Sequence, residues 1–336
     1  MAYIALLLVS LGVVLAGAEV FVNGIEWLGK KLNLSEGAVG SVLAAVGTAL
    51  PETIIPFIAI VFSGGSQGSE IGVGAILGAP LMLSTLAMFV TGMAVVVFAR
   101  RRRQGSKVVA DYSTMRRDLR FFIPVYGTAI ICGLIPAEYR HMQQIIAGGM
   151  ILAYIIYVRI MITEERDIES DEDLPVCYFC RNSSSPALPI ILLQVLVALG
   201  LIVLGAKLFV DSVQALAFIY QVPAFVLALI ITPIATELPE KFNSIIWIAR
   251  EKDTLALGNI TGAMVFQSSL IPAMGIFLTP WQLDKSALIA GIIALTSASL
   301  ILAEISFRKH VKARTLLLGG LMYAVFIGAV CVGWIR

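Results

Sequence analysis

Two short stretches carry the chemistry of this chain: GTALPE at residues 47–52 and ATELPE at residues 235–240. Each sets a carboxylate, Glu52 or Glu240, directly after a proline and within a long apolar run. A charge at the centre of a bilayer costs at least about 2.5 kcal/mol, so such residues mark functional sites by default. Proline has no N–H and clashes with the carbonyl four residues back, which frees that carbonyl. A break of this kind persists in a membrane only where protein buries it or a cavity borders it. Each motif thus offers a carboxylate, a freed carbonyl and a hydroxyl one turn earlier, Thr48 or Thr236. These are the hard oxygen ligands that calcium or sodium requires. One carboxylate from each motif neutralises one divalent cation. The structural alternative is a pair of kinked helices with protonated, hydrogen-bonded glutamates; two copies at equivalent positions favour the ion site.

The second motif is the richer one. Thr232, Thr236 and Glu240 recur every four residues along one helix face, and Asn243 and Ser244 continue the stripe. The first copy offers Ala44, Thr48, Glu52, Ile55 and Pro56 there. Glu237 has Ala49 as its counterpart, and three roles fit it: an additional ligand, a proton carrier, or a group facing a water-filled path. The following segments also match, with Gly74 opposite Gly258 and Gly78 opposite Gly262, an offset of 258 − 74 = 184. Close glycines let helices approach tightly. Asn259, Gln267 and Ser268 are the polar members of the second of these segments.

The elements that must position these residues are membrane helices. Of 336 residues, 59% are hydrophobic and only 14% charged, against about a quarter charged in a soluble domain. Apolar stretches long enough to span a bilayer recur throughout. Ten spans are expected, at roughly 3–28, 36–63, 70–99, 119–137, 142–163, 188–215, 223–249, 254–280, 285–304 and 313–334. The first has no basic leader and no clear cleavage site, so it reads as a retained span. Lys30 and Lys31, Arg100 to Arg103, Arg250 with Lys252, and Arg308 to Arg314 all fall in alternate loops. The positive-inside rule makes those loops cytoplasmic and puts both termini on the extracytoplasmic side. The net charge of +2 sits in these short loops and implies no nucleic-acid partner. No HExxH, GxSxG or nucleotide loop is present, so an enzyme is not expected.

The halves repeat. LGVVLAGAEVFV at 11–22 matches LGLIVLGAKLFV at 199–210, an offset of 199 − 11 = 188 that also relates Glu52 to Glu240. Five spans lie within one offset. Five is odd, so the second copy crosses the membrane in the opposite sense, the plan of many secondary transporters. The organisation expected is a first five-helix repeat at 1–163, an acidic, Ser-rich cytoplasmic linker at 164–187 that reads as a disordered connector, and an inverted repeat at 188–336. The fold class is an all-α polytopic membrane protein of ten transmembrane helices in two inverted repeats. Cys177 and Cys180 form a CxxC in the linker, half a zinc site or a redox pair, with a surface loop pair as the simpler reading. Cys132 and Cys331 read as small core residues. Glu19 with Asn23, and Lys207 with Asp211, are spaced one turn apart and read either as helix-surface groups or as the lining of a vestibule.

The paired G-T-x-L-P-E-like motifs, each followed by a glycine-rich segment, together with GAEVFV and GAKLFV, resemble the sodium/calcium exchanger group of the calcium/cation antiporter superfamily over nearly the whole chain. The resemblance implies that Glu52 and Glu240 are the central calcium ligands, Thr48 and Thr236 flanking ligands, and Ala45 and Pro233 the positions offering backbone carbonyls. Members usually carry a hydroxyl where this chain has Ala49 and Glu237. They carry serines and an Asn or Asp where it has Ala79, Leu83, Ala263 and Gln267, and Asn259 survives opposite Ala75. The divalent site is kept while the sodium positions are stripped, which raises proton coupling or a different cation. The expected function is a secondary antiporter of calcium, or a similar divalent cation, against sodium or protons, with no cofactor and with the lipid bilayer and those cations as its partners. A non-transporting scaffold or ion sensor with the acidic loop as partner surface is the reading from another class.

Overall fold

The computed structural model describes residues 2–31, 49–63, 65–164, 175–181 and 186–334, without the side chains of 162–164, 238–240 and 242. Thr48 and Ala45 therefore lie outside the described residues, as does the side chain of Glu240. The described residues form ten α-helical segments: α1 Ala2–Lys31, α2 Leu50–Phe62, α3 Gly65–Phe98, α4 Tyr112–Cys132, α5 Arg140–Glu164, α6 Leu188–Tyr220, α7 Ala224–Ala249, α8 Asp253–Leu278, α9 Lys285–Arg308 and α10 Ala313–Cys331. Among the described residues, seven are long and apolar enough to cross a membrane: α1, α3, α5, α6, α8, α9 and α10.

The helix ends differ from expectation for local reasons. The fourth helix starts at Tyr112 and not near 119, because Asp111 caps it: the carboxylate accepts from Ser113 N at 2.9 Å and Thr114 Oγ1 at 2.6 Å. A charged first turn is no bar to a capped helix. The sixth helix runs on to Tyr220 and closes on the left-handed Gln221, with φ 54°.

The chain forms two compact units, each built from both halves of the sequence. The first takes residues 1–68 and 155–221, the second residues 69–154 and 222–336.

In the first unit α1 lies along α6 through glycines. A Cβ on Gly17 would stand 2.9 Å from Ile202 Cγ1, and one on Gly205 would stand 2.8 Å from Val14 Cγ2. Part of the linker is built into this unit, which corrects the expectation of a disordered connector for 175–181. Trp27 Nε1 donates to Pro175 O at 2.9 Å, and Tyr178 N donates to Asn23 Oδ1 at 3.2 Å. Gln194 of α6 ties the rest together. Its Nε2 donates to Asn23 Oδ1 at 2.9 Å, and its Oε1 accepts from Phe179 N at 3.0 Å and Cys177 Sγ at 3.2 Å. A buried amide must find partners, and this loop supplies them. Cys177 is therefore buried, not a surface thiol, and Asn23 holds the linker in place of lining a vestibule. Glu19 accepts from the Tyr178 hydroxyl at 2.8 Å. Lys207 and Asp211 are exposed on α6, and Cys331 is exposed on α10.

In the second unit α3 carries one π-helical turn at Leu83–Ala87. Ser297 of α9 donates to the Ser84 carbonyl at 2.6 Å, and Gly319 of α10 lets the Thr85 backbone approach. Thr261 of α8 donates to Asp118 of α4 at 2.6 Å. Arg102, in the basic loop expected to face solvent, is buried against Asp253 at the start of α8, with Nη2 to Oδ2 at 2.5 Å.

Candidate functional site

The described part of the first motif opens α2. Pro51 occupies its first turn, where a missing N–H costs nothing. Glu52 follows in the same turn and is buried, only 7% exposed. Thr53 Oγ1 donates back to Ala49 O at 2.7 Å.

The second motif lies within α7, which is continuous from Ala224 to Ala249. A break at Pro239, the proline before Glu240, was expected; the helix instead runs on through Pro239, and through Pro233 six residues earlier. The packing at Pro233 is close. The carbonyl it frees belongs to Leu229, and a Cβ on Gly78 of α3 would stand 2.1 Å from that oxygen and 2.7 Å from Pro233 Cγ. Gly74 makes the same approach to Phe225 O, at 2.3 Å. Only a residue without Cβ fits there. The matching pair on α8, Gly258 and Gly262, meets nothing within 4 Å among the described residues.

The stripe of hydroxyls is buried. Thr236 Oγ1 donates to Thr232 O at 3.1 Å. Thr232 Oγ1 is buried and has no hydrogen-bond partner among the described residues. Asn243, one turn past the motif, is exposed.

Sequence reasoning passed over Lys241. It is 1% exposed, in the C-terminal half of α7. Its Nζ lies 3.5 Å from Glu237 Oε2 and donates to Asn259 Oδ1 at 2.8 Å. Glu237 Oε1 in turn accepts from Gln267 Nε2 at 3.1 Å. Glu237, Lys241, Asn259 and Gln267 thus form one chain of polar groups between α7 and α8. Glu237 and Gln267 are each 2% exposed, whereas the Asn259 residue reaches the surface. The signal that could have found Lys241 is its place one turn after Glu237, the spacing of a helical ion pair. A buried charge needs both a partner and hydrogen bonds, and this arrangement supplies both to Glu237. Among the described residues no three His, Cys, Asp or Glu side chains converge as metal ligands do.

Apolar helices of membrane-spanning length, close glycine packing and charged residues buried within the apolar interior define a polytopic membrane protein. The chain belongs to the sodium/calcium exchanger protein family, whose profile matches residues 2–163 and 190–334. This is a family of exchangers and not of enzymes. The putative antiporter CaxA of Alkalimonas amylolytica is 25% identical over 331 residues, covering 95% of this chain and 97% of the relative. The inner membrane protein YrbG of Escherichia coli (strain K12) is 21% identical over 307 residues, covering 91% and 89%. Among solved structures, an H+/Ca2+ exchanger, CAX, matches with a TM-score of 0.70 at 17% identity, over 98% of this chain and 82% of that one. The sodium-calcium exchanger NCX_Mj matches with a TM-score of 0.57 at 18% identity, over 98% of each chain. At such identities the likeness establishes the fold.

Proposed function

We propose that this protein is a secondary antiporter that exchanges calcium, or a similar divalent cation, against sodium or protons by alternating access. The observation that carries the reading is the pairing of family membership over both halves with two P-E motifs related by one fixed offset. Glu52 and Glu240 supply the two negative charges that match one divalent cation. The hydroxyls of Thr48 and Thr236 and the carbonyls of Ala45 and Pro233 complete the oxygen set. The ion site binds either the divalent cation or its counter-ions, never both together, and that exclusivity enforces exchange.

The membrane plan proposed with it is ten spans in two inverted five-helix repeats, both termini extracytoplasmic. The reciprocal contact of α1 with α6 supports it. Val14 and Gly17 map onto Ile202 and Gly205 by the 188-residue offset, and the Gly17–Ile202 contact maps onto the Gly205–Val14 contact. A two-fold relation produces contacts of this self-complementary kind.

Calcium flux in proteoliposomes tests the reading. The protein is reconstituted and calcium movement is followed under an imposed sodium gradient and then an imposed proton gradient. Uphill calcium movement under one of them is expected. A chain that moves no divalent cation under either gradient, while correctly folded and inserted, contradicts it.

A further inference from the structure

The Glu237–Lys241 pair has no counterpart in the first half. The 188-residue offset puts Ala49 opposite Glu237 and Thr53 opposite Lys241; the 184-residue offset puts Ala75 opposite Asn259 and Leu83 opposite Gln267. One acid, one base and two amides are thus present together in one half and absent together from the other. The acid and the base add no net charge.

The ammonium sits where a small cation would be held. Among its neighbours are a carboxylate oxygen of Glu237 and the amide oxygen of Asn259, at 3.5 and 2.8 Å, and the side chain is withdrawn from the surface. An ammonium on a four-carbon stem offers only donors. It satisfies oxygen ligands as a monovalent metal ion does, but it cannot leave. Glu237 is held on its other oxygen by Gln267, so the carboxylate is engaged on both sides.

We propose that Lys241 is a tethered cation: its ammonium takes the place of one monovalent ion between α7 and α8, so Glu237 is charge-balanced without loading an ion from solution. This rests on the antiporter reading above and specifies its counter-ion chemistry. The turnover cycle of this half needs one fewer monovalent cation than an acid at position 237 would otherwise demand. Glu237 is therefore a fixed partner of Lys241, not a ligand of transported ions.

The test is sodium binding to the purified full-length protein in detergent, by equilibrium binding of radioactive sodium and by the thermal shift when sodium replaces choline. Lys241→Met leaves the Glu237 carboxylate without its ammonium, and sodium binding to this variant is expected to tighten by roughly ten-fold or more over wild type, the scale of one charge contact. The double variant Glu237→Gln/Lys241→Met is expected to lose that gain. Sodium affinity of Lys241→Met equal to wild type, or a gain that survives Glu237→Gln, overturns the proposal. Should Lys241→Met fail to fold, the milder Lys241→Gln decides by the same readout: sodium binding tighter than wild type is expected, and an affinity equal to wild type overturns the tethered role. These readouts need no transport. A wild type that moves no calcium therefore contradicts the antiporter reading and leaves the sodium result to speak for Lys241 separately.

Discussion

Gly17 and Gly205 stand 188 residues apart and make the same contact from opposite sides, Gly17 against Ile202 and Gly205 against Val14. The first and sixth helices therefore touch through equivalent surfaces, with a glycine from each admitting a β-branched side chain from the other. Gly205 also faces the Ser10 backbone oxygen, at 3.0 Å from where a Cβ would stand.

Adding a side chain at either glycine overpacks this seam. Gly17→Val and Gly205→Val are each expected to destabilise the folded protein by about 1–3 kcal/mol. Thermal unfolding in detergent reads the effect. Ile202→Ala combined with Gly17→Val is expected to recover part of the loss, because residues in contact do not act additively.

The buried pair of Arg102 and Asp253 gives a larger effect. Asp253 Oδ2 meets Arg102 Nη2 and also accepts from Val109 N at 2.9 Å. Asp253→Ala strands a guanidinium with both side chains withdrawn from solvent. Removing one partner of a buried pair costs about 3–5 kcal/mol. The expected result is a large loss of thermal stability, and replacing both residues by apolar ones is expected to cost much less.

Gln194 holds the linker segment to α1 and α6, with Cys177 wholly buried beneath it. Gln194→Leu removes the acceptor of the Phe179 amide and the Cys177 thiol. Alkylation of Cys177 in the folded protein is expected to become at least about ten-fold faster, reflecting a lower free energy of local opening. Mass spectrometry on a Cys132→Ala, Cys180→Ser, Cys331→Ala background reads it.

Asp111 caps α4 outside the expected span. Hydrogen bonds from the Thr114 and Ser113 hydroxyls hold its carboxyl down at about 2. The folded value lies below the ordinary carboxylate value of about 3.9. The stability this charge contributes is therefore present above that ordinary value and is lost as pH falls towards 2. The stability difference between wild type and Asp111→Asn, in which the amide can still cap, is expected to be present at neutral pH and to close on acidification.

The helices were legible because apolar length is a strong signal: a described helix falls within each expected span, seven of them long and apolar enough to cross a membrane, although the second begins only at Leu50 and 36–48 lie outside the described residues. Their ends were less legible: Asp111 starts α4 ahead of its apolar stretch, and a left-handed Gln221 stops α6 late. The P-E motifs stood out in the sequence because a carboxylate in an apolar run is costly; the structure buries Glu52, while the Glu240 side chain lies outside the described residues. Lys241 did not stand out, because a basic residue beside an acidic motif reads as part of a charged cluster until the helix turns it onto Glu237. The role of Asn23 was hidden for another reason. It depends on a linker segment 153 residues away, whose Val176 carbonyl accepts from Asn23 Nδ2, and no local spacing encodes such a contact.

Calcium uptake into inverted vesicles by the Glu240→Gln variant, beside wild type at matched expression, tests the ion site most directly. The substitution keeps the shape of the side chain and removes its charge. Loss of uptake, with the protein still folded, is the expected result. Uptake at the wild-type rate would contradict the assignment of this carboxylate to the transported ion.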